Sequence, residues 1–146
     1  VVRALLVGGA RGAAGGSLFL RNALAVGDRP TFRVDAVPAG TPLGADRLAG
    51  RPLVVLDDAP PNVAAMRALD AFVRAGGGVL VTLGESSTPG AWRASGSLGD
   101  ALLAARPGDV VERAGGARLA TIERAHPVFL PFAAPRSGDL SAARVL

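Results

Sequence analysis

The sequence predicts an α/β domain built on a doubly wound, mostly parallel sheet with helices on both faces. Three observations carry that expectation. Short, almost wholly apolar runs recur along the chain: "VVRALLV" from Val1, "PLVVLDD" from Pro52 and "VLVTLG" from Val79. Stretches of helical periodicity separate them, and glycines or acids close them, as at the carboxyl ends of buried parallel strands. Strands alternating with helices over this length are joined by right-handed crossovers, which gives a flavodoxin-like arrangement. At 146 residues the chain is about the size of one domain, and folding would bury roughly 68–70% of the surface of the unfolded chain. No repeat or internal linker divides it, so residues 1–146 are expected to form a single domain.

The first run, Val1 to Val7, stops at Gly8-Gly9 and reads as a central strand covered on both faces. After "GGARGAAGG", Ser17 is placed to cap a helix. Its apolar positions Leu18, Leu20, Leu24 and Ala25, with Phe19 beside them, run to about Val26 before Asp28-Arg29-Pro30 breaks it. In "TFRVDAVP", Phe32, Val34 and Ala36 alternate with Thr31, Arg33 and Asp35, the pattern of an edge-like strand. "PLVVLDD" is a fully apolar strand closed by Asp57, Asp58 and the breaker Ala59-Pro60-Pro61. Asn62 then caps a helix from Val63 to Ala75, with Val63, Met66, Leu69, Ala71, Phe72 and Val73 at helical spacing and the glycines at 76 to 78 as its stop. "VLVTLG" is expected to be a third buried strand. Trp92 marks a turn, Leu98 to Ala105 a short helix, and Ala117 to Glu123 a further strand. The proline-rich tail reads as loop until its last residues.

Composition narrows the function classes. Hydrophobic residues make up 49% of the chain and aromatics 4%, so the core is built mainly from Ala, Val and Leu, with Phe19, Phe32, Phe72, Phe129, Phe132 and Trp92 as its few large pieces. All 16 basic residues are arginine, a usage that fits a GC-rich genome. The net charge of +4 permits nucleic-acid binding, but the arginines are scattered and do not interleave with aromatics, so no nucleic-acid partner is expected. Without cysteine there is no disulfide, thiol nucleophile or thiolate metal site. No apolar run approaches the ~18–20 residues that span a bilayer, and no signal-peptide order is present at the start. The piece is expected to be soluble. A start without Met in an apolar run, and an end in "SAARVL", suggest a domain excised from a longer protein.

The segment "LAGRPLVVLDDAPPNVAAMRALDAFVRAGGGVLVTLG" resembles class I glutamine amidotransferase-like domains, where a strand and acidic turn precede a helix and then "F-V-x-x-G-G-G" with an apolar run ending in Gly. With "SLFLRNAL" near the start and "ATIERAHPVFLPFAAPRSGDLSAARVL" at the end, the chain is most similar to the amidotransferase-like domain of bacterial BatA-type membrane proteins, which also carry a von Willebrand factor A domain. The likeness covers nearly the whole chain, and the tail is its more specific part. It implies an extracytoplasmic domain of a membrane-anchored protein with no established catalytic activity. Its partners would be a protein or other domains of the parent chain, and it would meet a membrane only through that parent. True amidotransferases use a Cys on the turn after a strand and a His with a Glu two residues later. Here there is no Cys, and His126 is followed by Pro127 and Val128. Thiolate attack on an amide needs that sulfur, so glutamine hydrolysis by that route is excluded.

Several residues nonetheless invite chemistry. Gly84-Glu85-Ser86-Ser87-Thr88 comes close to the Gly-x-Ser-x-Gly elbow of serine hydrolases but has Thr in place of the last Gly. Ser86 as nucleophile, His126 as base and Asp100 or Asp109 as orienting acid would follow the α/β-hydrolase chain order. The bland reading is a polar turn at Ser86 and, at His126-Pro127, an extended entry into a turn. Asp57, Asp58 and Glu85 fall at the carboxyl ends of expected strands, where open α/β sheets bind ligands. Carboxylates there can hold Mg²⁺ or Ca²⁺, or they can cap the turn and face water. "GGARGAAGGS" lies between a strand and a helix but fits neither a Walker A loop nor Gly-x-Gly-x-x-Gly, and Arg11 within it can meet an anion or water. The reading that follows is a non-catalytic interaction or ligand-sensing module with no cofactor and no metal. The alternative is a small hydrolase using Ser86 and His126, or a carboxylate-bound metal at Asp58 and Glu85.

Overall fold

The computed structural model describes residues 1–8, 18–24, 31–94, 103, 105, 107–109, 111, 114–119, 121–127, 129 and 144–145. They belong to two compact units, residues 1–109 and 110–146.

The first unit is an α/β fold on a four-stranded sheet of order β2-β1-β3-β4, in which every pairing is parallel. Its elements are β1 (Val2–Gly8), α1 (Leu18–Leu24), β2 (Phe32–Pro38), α2 (Ala45–Leu48), β3 (Leu53–Asp57), α3 (Val63–Arg74), β4 (Gly78–Thr82) and α4 (Pro89–Arg93). The apolar runs of β1 and β3 occupy the two central positions, as continuous hydrophobicity requires of strands enclosed on both sides. Ala4, Leu5, Leu6, Val54, Val55 and Leu56 are all buried.

Strand register sorts these residues onto two faces. Leu5, Val54 and Val79 form one row and Val7, Leu56 and Val81 the next. With Met66 and Leu69 of α3, Leu43, Leu48 and Trp92, they make a continuous core on that face. On the opposite face, Ala4, Leu6 and Val55 are equally shielded. The side chains with the least exposure and greatest volume are Leu, Met and Val, so close packing of aliphatic groups carries this core.

Helix α3 starts where the Asn62 carboxamide accepts from the Ala65 N–H at 2.9 Å, satisfying one donor of the open first turn. It stops at Gly76, whose φ of 94° is the left-handed geometry glycine adopts without Cβ strain. Gly76 N–H then donates to Val73 and Gly77 N–H to Phe72, a Schellman closure that turns the chain into β4.

Several expectations need correction. β4 is present, but it is the sheet's edge and not a buried strand: Leu80 is 44% exposed and Leu83, just beyond it, 61%. In edge strand β2, Ala36 is exposed and Val37 packs against the core instead. The segment between β2 and β3 contains a one-turn helix, α2, and the expected turn at Trp92 is helix α4, capped by the Thr88 hydroxyl accepting from Ala91 N–H at 3.1 Å. Within α3, Val63 and Val73 are exposed, and the face that meets the core is Ala65, Met66 and Leu69. Ser17, Phe132 and most of the expected helix from Leu98 to Ala105 lie outside the described residues.

In the second unit the expected strand from Ala117 to Glu123 is confined to β5 (Ala117–Arg118). It pairs antiparallel with β6 (Arg144–Val145) and takes no part in the parallel sheet. Its two residues are both exposed and lack the apolar run that a central parallel strand needs.

Candidate functional site at the carboxyl ends of β3 and β4

The order β2-β1-β3-β4 places the second strand on one side of β1 and the third on the other, so the chain reverses its direction of growth between β1 and β3. Ligands of open α/β sheets bind outside the carboxyl ends of the strands flanking such a reversal. Asp57 closes β3 there, in register with Gly8 of β1 on one side and Thr82 of β4 on the other.

Asp57 and Asp58 play different roles. The Thr82 hydroxyl donates to Asp57 Oδ1 at 2.6 Å, a cross-strand bond possible because the two residues are register partners on one face. Asp58 leaves the strand with φ of 49°, a left-handed conformation that Asp tolerates better than most residues. Its own N–H donates to the Thr82 carbonyl at 3.0 Å, and its side chain is turned toward the loop after β4. There, Ser86 N–H donates to Asp58 Oδ2 at 3.0 Å and Ser87 Oγ donates to Asp58 Oδ1 at 2.9 Å.

The loop is shaped to receive this carboxylate. Ser87 N–H closes a turn on the Gly84 carbonyl at 3.0 Å, which brings both serines to the same side. A Cβ on Gly84 would lie 2.7 Å from Asp58 Cγ and 2.9 Å from Oδ2, so the carboxylate occupies the volume a side chain would need. Burial pushes the Asp58 carboxyl up, but the bonds from Ser86 and Ser87 together outweigh it and hold the group below its ordinary value. Ser87 is buried, at 7% exposure. Two residues further on, Pro89 opens α4 and Trp92 drops into the core.

The structure therefore joins Asp58 to Ser86 in the first unit, while the neighbouring Asp57 is bonded to Thr82 and Glu85 is exposed on the same loop as Ser86. Asp109 is exposed, while Arg11 and Asp100 lie outside the described residues. His126 belongs to the second unit, where its N–H donates to the Glu123 carbonyl at 3.0 Å and its carbonyl accepts from Phe129 N–H at 2.8 Å. Its ring meets Phe129 edge-on at 6.5 Å. Among the described residues no group of three or more His, Cys, Asp or Glu side chains gathers as a metal site.

Sequence reasoning missed Thr82 and Ser87. The signal for Thr82 was available: both apolar runs end in a polar residue, and aligning those ends pairs Asp57 with Thr82. Nothing local marks Ser87, because its partner lies 29 positions away.

No protein-family model, curated protein or solved structure matches the chain.

Proposed function

We propose that this chain is a non-catalytic interaction or ligand-sensing module with a flavodoxin-like, class I amidotransferase-like fold. In this reading it is the extracytoplasmic domain of a membrane-anchored bacterial protein and engages a protein partner or its own parent chain. The observation that carries the proposal is the state of the turn at which an α/β enzyme mounts its nucleophile. That turn has no cysteine, and its two serines are tied to Asp58 by a backbone N–H and a hydroxyl.

A serine nucleophile needs a base able to take its proton near neutral pH. Asp58 is a poor one, because the same bonds hold its carboxyl low. Ser87, with the hydroxyl committed to that carboxylate, is too enclosed to meet a substrate carbonyl. The features that resemble an elbow serve to fasten the loop after β4 to the end of β3. Such fastening gives the switch-point end of the sheet a rigid rim, as recognition by a preformed surface requires.

The test is to incubate the purified chain with glutamine, an amide series and p-nitrophenyl esters, with and without Mg²⁺ or Ca²⁺. The reading expects no turnover above that of the Ser86→Ala and His126→Ala variants. Turnover abolished by either substitution would establish the serine hydrolase instead, and turnover that needs the cation and Asp58 would establish the metal-assisted one. A panel of saturating nucleotides should leave the melting temperature unchanged.

A further inference from the structure

The amino ends of β1 and β2 carry more positive charge than they neutralise. Strand register sets Arg3 of β1 beside Arg33 of β2. Neighbouring strands lie about 4.8 Å apart and register partners share a face, so the two side chains leave the sheet next to each other. Like charges so placed repel and lower stability. Relief comes from Asp35, two residues further along β2, but that carboxylate is shared.

Arg3 Nη2 donates to Asp35 Oδ2 at 3.3 Å, and Arg51 Nη2 donates to the same oxygen at 2.7 Å. Arg51 is the more firmly held, since its side chain is 15% exposed and Nη1 also donates to the Arg47 carbonyl at 2.6 Å. The Arg3 side chain is 55% exposed. Arg33 is exposed too and has no ion-pair or hydrogen-bond partner among the described residues. Three guanidinium groups against one carboxylate leave two positive charges over. Both fall on the exposed pair, because Arg51 has the shorter bond.

We propose that Arg3 and Arg33 dock an acidic segment of a protein partner, with one carboxylate of that segment accepting from each guanidinium. The planar guanidinium matches a carboxylate with two parallel bonds, and two carboxylates supply the two charges that Asp35 leaves unmet. Docking thereby removes the repulsion between the strands. Nucleic acid fits this face less well, because Phe32, the aromatic next to Arg33, lies on the opposite face of β2 and gives bases no platform to stack on. This names the partner's chemistry for the interaction module and rests on that reading, which turnover of a substrate decides separately.

Titration of the isotope-labelled chain with hexaglutamate, hexaglutamine and a hexathymidylate strand, followed by NMR at neutral pH and low salt, tests this. Hexaglutamate should bind saturably and shift the amide and guanidinium signals of Arg3 and Arg33, while hexaglutamine leaves them in place. Arg33→Gln should weaken hexaglutamate about fivefold, as loss of one exposed charge pair does, and Arg3→Gln combined with Arg33→Gln should abolish saturation. Both side chains are exposed, so these variants keep the fold. Arg93→Gln removes an equal charge from an exposed position on α4 and should leave binding unchanged. Hexaglutamate that does not saturate, an equal loss on Arg93→Gln, or hexathymidylate that binds the same residues as tightly would each overturn the proposal.

Discussion

Ser87 Oγ donates to Asp58 Oδ1 at 2.9 Å, joining the loop after β4 to the end of β3 across 29 positions of sequence. This bond and its neighbour from Ser86 N–H turn two short polar segments into one structural unit. Asp58→Ala leaves the buried Ser87 hydroxyl without its acceptor. It should cost about 1–3 kcal/mol, the penalty of an unsatisfied buried polar group, read as a lowered urea midpoint with an unchanged slope.

The same carboxylate makes stability depend on pH. Asp58 sits below its ordinary value of 3.8 when folded, so the folded state binds its proton more weakly than the unfolded chain. Its contribution is complete above the unfolded value and is lost as pH falls through the folded one. Asp58→Asn cannot titrate there. Urea midpoints measured from neutral pH into the acid range should therefore fall less steeply for Asp58→Asn than for the wild type; parallel curves would refute this.

Gly84 is fixed by what stands beside it. An added Cβ lies 2.7 Å from Asp58 Cγ, a separation that forces the loop or the carboxylate to move. Gly84→Ala should destabilise by about 1–3 kcal/mol, as overpacking does, and the Ser87 hydroxyl proton should exchange faster by NMR. If Asp58→Ala is made first, the cost of Gly84→Ala should shrink, since the obstructing group is gone.

Helix α3 depends on its cap. Asn62 accepts from Ala65 N–H at 2.9 Å, and removing that acceptor exposes a donor of the first turn. Asn62→Ala should lower stability by about 1 kcal/mol in denaturant, with Asn62→Asp close to wild type.

Arg3 and Arg51 share one oxygen of Asp35, yet they should respond differently. Arg3 is 55% exposed on its side chain and sits 3.3 Å away, so Arg3→Ala should change stability by less than about 0.5 kcal/mol, as exposed pairs do. Asp35→Asn leaves the largely buried Arg51 guanidinium facing a neutral amide and should be clearly the more damaging of the two. Asp35 is held low chiefly by the hydrogen bond from Arg51. Its contribution too is present above the unfolded value and lost as pH falls through the folded one.

The sequence by itself determined the four strands of the parallel sheet and the long helix α3, but not the extent of β5 or the short helices α2 and α4. β1 and β3 are legible because a strand enclosed on both faces must be apolar at every position, and α3 because Asn62 and Gly76 bracket one amphipathic period. It also excluded thiol chemistry through the missing cysteine, marked Asp57, Asp58 and Glu85 as residues at strand ends, and singled out Ser86 on the turn that follows. Only the tertiary structure decided what those residues do. That Asp58 ties the loop after β4 to the end of β3 follows from two serines 28 and 29 positions away, and that β4 is an edge follows from the order of strands. The same holds for the surplus positive charge at Arg3 and Arg33, which the register of β1 against β2 brings side by side. Local periodicity reports which side of an element avoids water, whereas the partner of a given oxygen or guanidinium is set by how distant segments come to lie beside each other.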